Sequence, residues 1–481
     1  MIVNAKRQKG KSMKLFKKKE KISSGELIFS RKDIVKIIVP MFVQQLLSIT
    51  VGMADSMMVS YAGETAVSGV SLVNTLDNML IVFFTALVSG GSVVVAHTLG
   101  AKEKKDTSEV AKQLLYASTA VAILITTVVL IFRQPLLSIL FGKAEAAVMK
   151  NAHDYFWIVA LSFPFLAISE SCGACFRASG NSIISLIVSL IINVINLSGN
   201  AISIFGFNMG AAGAALATTV ARFGGALILL ILIHNKKHPV HIERLFHYRP
   251  NFNIIKKILN IGVPNGVENT MFNFGRLMTQ TLISMLGTTV IAANSVALNI
   301  ANYQYAVNVA ISACAVPIVG RCIGAKKTDQ AKYYSKMLLR LEYVMMAIVI
   351  IVTMVCLKPL LSTYNITDEG IKLAIRLLIF HSIVVIIIYP LSFLLPSVFR
   401  AAGDVRFSMI LSMLSMWCIR VAIAYVLALE KVSVFGLFSF PGLGLGIWGV
   451  WIAMSGDWLL RASAYTVRYF SGKWLKIKTR M

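Results

Sequence analysis

Apolar stretches separated by short polar segments recur along almost the whole chain. Each stretch is about 20 residues long, which lets one helix cross a hydrocarbon core of about 30 Å. Twelve such segments are predicted, at about 37–61, 72–97, 113–133, 153–175, 183–205, 212–233, 258–286, 295–320, 337–357, 371–397, 407–429 and 447–469. The pattern therefore predicts an all-α membrane protein with twelve transmembrane helices.

Five short motifs of the first half of the chain return in the same order in the second half. Pro40 returns as Pro264, and Gly100-Ala101-Lys102 returns as Gly324-Ala325-Lys326, each with an offset of 224 residues. Repeats that face one another across a substrate site are a common architecture of secondary transporters. We therefore predict a basic cytoplasmic tail (1–36), an N-terminal six-helix lobe (37–233), a cytoplasmic linker (234–257), a C-terminal six-helix lobe (258–470) and a second basic cytoplasmic tail (471–481).

Composition supports the membrane interpretation. Hydrophobic residues make up 57% of the chain and charged residues 14%, whereas soluble domains carry about 45–50% apolar and about 25% charged residues. The net charge of +26 would suit nucleic acid, but Lys and Arg concentrate in the tails and in alternate loops. This asymmetry follows the positive-inside rule. It predicts a multi-pass protein of the plasma (inner) membrane with both termini cytoplasmic, and with the lipid bilayer rather than nucleic acid as its partner.

The N-terminal tail has no apolar core. The basic stretch from Lys6 to Lys21 is therefore not a cleavable signal peptide, and we expect it to touch anionic lipid. Translation could start at Met1 or at Met13.

The polar segments contain no enzyme signature. Neither the tail nor the linker carries a Gly-rich phosphate loop, so the sequence predicts no enzyme, no cofactor and no ATP-driven step. Cys172 and Cys175 have the spacing of a redox or metal pair, but they stand among small residues typical of close helix packing. The histidines of the linker (His234, His238, His241 and His247) lack a regular metal spacing, so no metal site is expected.

Ionisable residues inside membrane spans are costly and therefore mark function by default. Asp55 has apolar neighbours on both sides in the first span and could hold either a proton or a cation. The alternative is a carboxylate that only bonds neighbouring backbone. In the fifth span Asn193, Asn196 and Asn200 form one polar stripe, and Thr218 follows in the sixth. Such a stripe either lines a wet cavity or holds helices together.

The second half carries its own polar set. Glu268 lies just beyond Pro264, and Asn269, Asn273 and Arg276 share its helical face. Asp457 lies in the last span, four residues before Arg461, and Arg420 lies in the eleventh. Asp457 could therefore serve coupling or could form an internal ion pair with either arginine, and both readings stay open.

The chain resembles the multidrug and toxic compound extrusion (MATE) family of cation-coupled exporters, and the resemblance extends from about residue 33 to about residue 473. The resemblance rests on Pro40, Asp55, the two Gly-Ala-Lys loops, the turns at 180–181 and 403–404, and Gly-Ala-Ala-Leu-Ala-Thr at 213–218. It implies a two-lobed alternating-access transporter with substrate in a central cleft. It also implies a cation site of Asp55 with Asn196, Asn200 and Thr218, and a hinge at Pro40 where the first helix bends.

The chain departs from the family pattern at two positions. Better-known members carry Asp where this chain has Asn200, so the site holds a single carboxylate and the choice between H⁺ and Na⁺ is open. Many relatives place the acid of the seventh span further from the proline than Glu268 is from Pro264. The candidate polar or ion site of the C-terminal lobe is accordingly Glu268, Asn269, Asn273, Arg276 and Asp457.

Three functions are compatible with these features. The favoured one is a monomeric antiporter that exports organic, cationic or amphipathic drugs or metabolites in exchange for H⁺ or Na⁺. The second is a flippase for polyprenyl-linked saccharides of the same superfamily, which would need a basic cavity. Arg222, Arg276 and Arg420 are the candidates for that cavity, and the carboxylates offset them. The third, a non-transporting receptor or channel, is disfavoured by the internal repeat.

Overall fold

The computed structural model describes residues 27–141, 145–243, 245, 249–362, 364, 366–434 and 438–476, and the chain is almost entirely helical there. Of the two predicted basic tails (1–36 and 471–481), residues 1–26 and 477–481 lie outside this range. The N-terminal repeat contains α1 (Arg31–Ser60), α2 (Glu64–Gly100), α3 (Lys104–Phe141), α4 (Ala146–Ala160), α5 (Phe163–Ala178), α6 (Ser182–Gly206) and α7 (Gly210–Ile233).

The C-terminal repeat contains α8 (Phe252–Ser284), α9 (Thr288–Gly324), α10 (Thr328–Val355), α11 (Leu357–Ser362), α12 (Asp368–Ala401), α13 (Val405–Ala428) and α14 (Ile447–Phe470). A hairpin of β1 (Lys431–Val434) and β2 (Phe438–Pro441), which the sequence analysis did not predict, joins α13 to α14. Each of α6, α9 and α13 contains a π-helical segment.

Every predicted span coincides with helix, but one prediction needs correction. The fourth span is not one straight helix at 153–175, because α4 and α5 meet at a 48° bend where Pro164 opens α5. Within the described residues, nine helices are long and apolar enough to cross a membrane, and the bent pair gives a tenth. α8 and α14 fall short because side chains such as Glu268 and Asp457 lower their apolarity, so the count of twelve stays a prediction.

Backbone φ angles at equivalent positions of the two sequence repeats are similar. Gly63 and Gly287 precede α2 and α9 with φ of 103° and 99°, and Lys102 and Lys326 follow the corresponding Gly-Ala pairs with φ of 63° and 58°. A positive φ is uncommon for a residue with a side chain. Its recurrence at equivalent lysines shows that both Gly-Ala-Lys loops form the same turn.

The first helix of each repeat begins against the other repeat. Ile37 and Met41 of α1 belong to a buried cluster built from the C-terminal repeat, whereas Val59 at the far end of α1 lies in a core of the N-terminal repeat. In the same way, Ile258 of α8 packs in the N-terminal repeat and Leu282 packs in its own. Pro40 is buried near the point where α1 crosses between the repeats.

The two repeats touch at the end of the molecule that carries the Gly-Ala-Lys turns. Gly90 of α2 lies against the backbone of Gly262 of α8 so closely that neither position has room for a Cβ. Nearby, His97 Nε2 lies 2.7 Å from the Ala401 carbonyl oxygen. Both described chain ends reach this region, since Phe29 and Tyr469 bond to the start of α10. The repeats are therefore closed at this end.

Candidate functional site

A polar cavity of about 290 Å³ lies inside the N-terminal repeat. It is bounded by α1, α2, α4 and α7, and its charged lining residues are Asp55, Asp77 and Arg222. Polar groups at membrane depth mark ion or substrate sites by default. This cavity is therefore the first candidate site.

Asp55 contacts the asparagine stripe of α6. The Asn200 side-chain amide donates to Asp55 Oδ1, and Asn196 Nδ2 donates to Thr218 Oγ1 at 3.2 Å. Thr218 and Asp55 line the same cavity, so the four residues of the predicted cation site lie together. Asn193 takes no part in these contacts. Because these two hydrogen bonds, donated by asparagine side chains, also join α6 to α1 and to α7, the stripe holds helices together as well.

Asp55 differs from the other acid in the cavity in having no cationic partner among the described residues. A carboxylate at membrane depth that has no cationic partner can take up either a proton or a cation. The cation-coupling role of these residues stays a prediction, but the contacts agree with it.

The second acid of this cavity, Asp77, was not predicted from the sequence. Asp77 of α2 receives two hydrogen bonds from Arg222 of α7, at 3.2 and 2.8 Å, and Arg222 also donates to Ser162 Oγ at 2.7 Å. Arg222 is therefore neutralised locally. The available signal was Asp77 as the one acidic residue of the predicted span at 72–97, but its partner lies 145 residues away in the chain.

Glu268 and Asp457 are both paired with arginine. Glu268 Oε2 lies 3.6 Å from Arg400, and Ser412 Oγ donates to its other oxygen at 2.8 Å. Asp457 is fully buried and lies 2.8 Å from Arg461 Nε, which is the internal ion pair that the sequence left open. A part of either acid in coupling stays a prediction.

A second unpredicted acid lies in the C-terminal repeat. Glu342 of α10 is fully buried and accepts a hydrogen bond from Asn308 of α9. It has no arginine or lysine partner among the described residues, and it lines neither cavity described here.

The larger cavity, of about 460 Å³, lies between α2 and the C-terminal repeat. Asn273 and Arg276 line it, whereas Glu268, Asn269 and Asp457 do not. Asn269 instead donates to the carbonyl oxygen of Asn265 at 2.8 Å. The structure therefore divides the candidate residues of the C-terminal lobe into two that face the cavity and three that do not.

The wall of this central cavity is aromatic and basic. Six of its rings come from Phe272, Tyr305, Tyr389, Phe393, Trp451 and Trp458. The charged groups among the described lining residues are Arg276 and Arg420. A volume of this size, apolar walls and a few polar groups are typical of a small-molecule site.

Within the described residues, the cysteine and histidine motifs do not form a metal-binding group. No group of three or more His, Cys, Asp or Glu side chains within the described ranges could hold a metal ion. His241 of the linker lies 3.5 Å from Glu243, and a hydrogen bond from Lys236 lowers the pKa of Glu243. His247 lies outside the described residues.

The known proteins that this chain resembles include transporters and multidrug resistance proteins. Over 445 residues the chain is 26% identical to Uncharacterized transporter YisQ of Bacillus subtilis, covering 91% of this chain and 93% of that protein. Over 456 residues it is 26% identical to Probable multidrug resistance protein NorM of Thermotoga maritima, covering 93% of each. A solved outward-facing multidrug resistance MATE family transporter of the MOP superfamily superposes with a TM-score of 0.82 at 18% identity, over 92% of this chain and 96% of that one.

The family assignment comes from the sequence match. The MatE family model matches residues 40–202 and 264–426. These are two segments of equal length, offset by the same 224 residues as the motifs, and together they cover more than half of the chain. The protein is a multi-pass membrane protein that belongs to the MATE family of transporters.

Proposed function

We propose that this protein is a secondary antiporter that moves amphipathic organic drugs or metabolites out of the cell in exchange for H⁺ or Na⁺. The observation that carries the proposal is Asp55, a carboxylate without a cationic partner among the described residues, bonded by Asn200 in a polar cavity. We further propose a location in the plasma (inner) membrane, cytoplasmic termini and function as a monomer.

Binding of the coupling ion at Asp55 can act on the whole molecule through α1. The helix joins this site to the C-terminal repeat, and Pro40 interrupts its hydrogen bonding. A change of occupancy at Asp55 that bends α1 at Pro40 would shift the contact between the repeats. Such coupling needs no direct contact between ion and substrate.

The central cavity supports an amphipathic substrate, because ring faces make up much of its wall. Its charged lining groups are arginines, which gives no support to the cationic substrate expected from the sequence. The flippase alternative finds the basic cavity that it requires in Arg276 and Arg420. The similar proteins are, however, named as multidrug resistance proteins, which favours the drug or metabolite exporter.

The test is transport by purified protein in liposomes, with either a pH gradient or a Na⁺ gradient imposed. Wild-type protein should accumulate a fluorescent amphipathic dye under one of these gradients, and Asp55→Asn should abolish the gradient dependence. Asp329→Asn removes an exposed aspartate in the first turn of α10 and should behave as wild type. Full transport by folded Asp55→Asn would refute the proposal.

A further inference from the structure

The two arginines that line the central cavity are not equivalent to the arginines deeper in the protein. Arg276 is exposed to the cavity and has no ion-pair or hydrogen-bond partner among the described residues. Arg420 is mostly buried, its Nε lacks a hydrogen-bond partner, and its nearest carboxylate oxygen is 4.0 Å away on Asp457. Both guanidinium groups therefore have unused donors.

The carboxylates around this cavity leave these two side chains with an excess of positive charge, because Asp457, which lies within 4.0 Å of Arg420, is shared with the closer Arg461. Each acid next to the wall already forms an ion pair with an arginine other than Arg276 and Arg420. These pairs are Asp457–Arg461, Glu268–Arg400 and Asp77–Arg222. No Asp or Glu occurs among the described lining residues. The cavity wall thus carries an excess of positive charge.

Such an excess acts strongly at membrane depth, where the low dielectric of the surrounding protein and lipid magnifies charge interactions. A cation in the cavity would be repelled by both arginines. An anion would be attracted, and a planar carboxylate or sulfonate could accept paired hydrogen bonds from a guanidinium fork.

Aromatic residues contact Arg420 and supply the apolar part of the wall. The Arg420 guanidinium carbon lies 5.6 Å from the centre of the Phe272 ring, which keeps the charge directed at the cavity without neutralising it. Tyr389 and Phe393 stack at 4.2 Å between ring centres, so an apolar wall lies beside the charged groups. Ring faces and guanidinium groups therefore lie side by side in this wall, which suits a ligand that combines an aromatic ring with an acidic group.

We propose that the central cavity binds aromatic organic anions, with Arg276 and Arg420 as the residues that select for negative charge. This inference names the substrate class of the exporter and so rests on the proposed function. It also places substrate and coupling cation at separate sites of opposite charge, so the two do not compete for one carboxylate.

The test is equilibrium binding to purified protein in an uncharged detergent, without any ion gradient. The probes are anthracene carboxylate and (aminomethyl)anthracene, which share one ring system and differ in the sign of charge. Binding is read from energy transfer between tryptophan and the anthracene, because Trp451 and Trp458 line the cavity. Wild-type protein should bind the carboxylate about tenfold more tightly than the amine, as expected for charge-assisted hydrogen bonds.

Substitution of the two arginines tests which side chain causes the preference for the carboxylate probe. Arg276→Gln should weaken carboxylate binding by about tenfold and leave amine binding unchanged or improved, while Arg276→Lys should retain part of the affinity. Arg420→Gln should act in the same direction. Arg340→Gln removes an exposed arginine of α10 that does not line the cavity, and it should bind both probes as wild type does.

Two results would overturn the proposal. One is wild-type protein that binds the amine as tightly as the carboxylate, which decides the matter even if the arginine variants do not fold. The other is carboxylate binding that is the same in Arg276→Gln and Arg420→Gln as in Arg340→Gln. Carboxylate binding without gradient-driven transport would instead refute the proposed antiport and leave this inference standing.

Discussion

At the scale of residues, the N-terminal cavity separates two aspartates by their partners. Asp77 is held by Arg222 through two hydrogen bonds, whereas Asp55 meets an amide. Asp77 therefore has its cation supplied by the protein, whereas a carboxylate without such a partner at membrane depth is favourable only with a proton or another cation. This difference supports Asp55, rather than Asp77, as the proposed site of ion exchange.

Asn200→Asp should strengthen cation binding, because the new carboxylate would lie in hydrogen-bonding contact with Asp55. Two carboxylates in one site cannot both ionise cheaply, so the pair holds a proton or a cation more firmly. Transport plotted against pH should change from one apparent ionisation to two. Asn253→Asp, at an exposed position in the first turn of α8, is the control. An unchanged ion dependence and pH profile in Asn200→Asp would place position 200 outside the ion site.

Arg222→Gln should destabilise the protein, because Asp77 would be left buried without its cation, a loss of about 3–5 kcal/mol for buried pairs. Asp77→Asn combined with Arg222→Gln should recover much of the loss. Thermal unfolding in detergent measures both effects as a double-mutant cycle. Additive losses in the double variant would show that the two side chains do not depend on each other.

At the scale of elements, α1 and α8 are the two helices that cross between the repeats. Each begins in a core of the opposite repeat and ends in its own, and each contains a proline. A proline removes one helix hydrogen bond and lets the helix bend at that point. The fold therefore places its bendable helices where the two repeats meet.

Pro40→Ala should slow transport while leaving folding and cation binding at Asp55 intact. An α1 that bends less would couple ion binding at Asp55 less effectively to movement of the two repeats. The measurements are the initial transport rate in liposomes and cation protection against thermal unfolding. Pro135→Ala is a matched control, since Pro135 also lies inside a helix and is exposed on α3. Equal rates in Pro40→Ala and wild type would exclude a hinge at this position.

At the scale of the whole molecule, the two repeats are closed at the end that carries the Gly-Ala-Lys turns. The contact depends on glycine, since a Cβ at Gly90 or Gly262 would meet the backbone of the other repeat. Packed helices move between discrete arrangements rather than deforming continuously. Opening at this end therefore requires α2 and α8 to separate as units.

Cysteines placed at Lys102 or Lys326 in a cysteine-free variant should resist impermeant thiol reagents in intact cells, because the positive-inside rule places these turns in the cytoplasm. Cysteines at Gly63 and Gly287, at the start of α2 and α9, should react. The reverse pattern of labelling would invert the predicted topology.

The sequence by itself determined the helical membrane class, the repeat and the family, because apolar length, motif offset and turn residues are properties of local sequence. It also marked Asp55, Asn196, Asn200 and Thr218, since polar groups within apolar spans are visible without a structure. The ends of the spans and the bend between α4 and α5 were harder to predict from the sequence, because amphipathic helix ends extend beyond the apolar stretch.

Only the tertiary structure decided which charges are neutralised. Asp77 meets Arg222 and Glu268 meets Arg400 across more than a hundred residues of chain, whereas Arg276 meets no acid in the described structure. No local pattern distinguishes a paired arginine from an unpaired one. The sign of charge in the central cavity depends on which side chains the packing of distant helices brings within a few ångströms, and the order of residues along one helix does not contain that information.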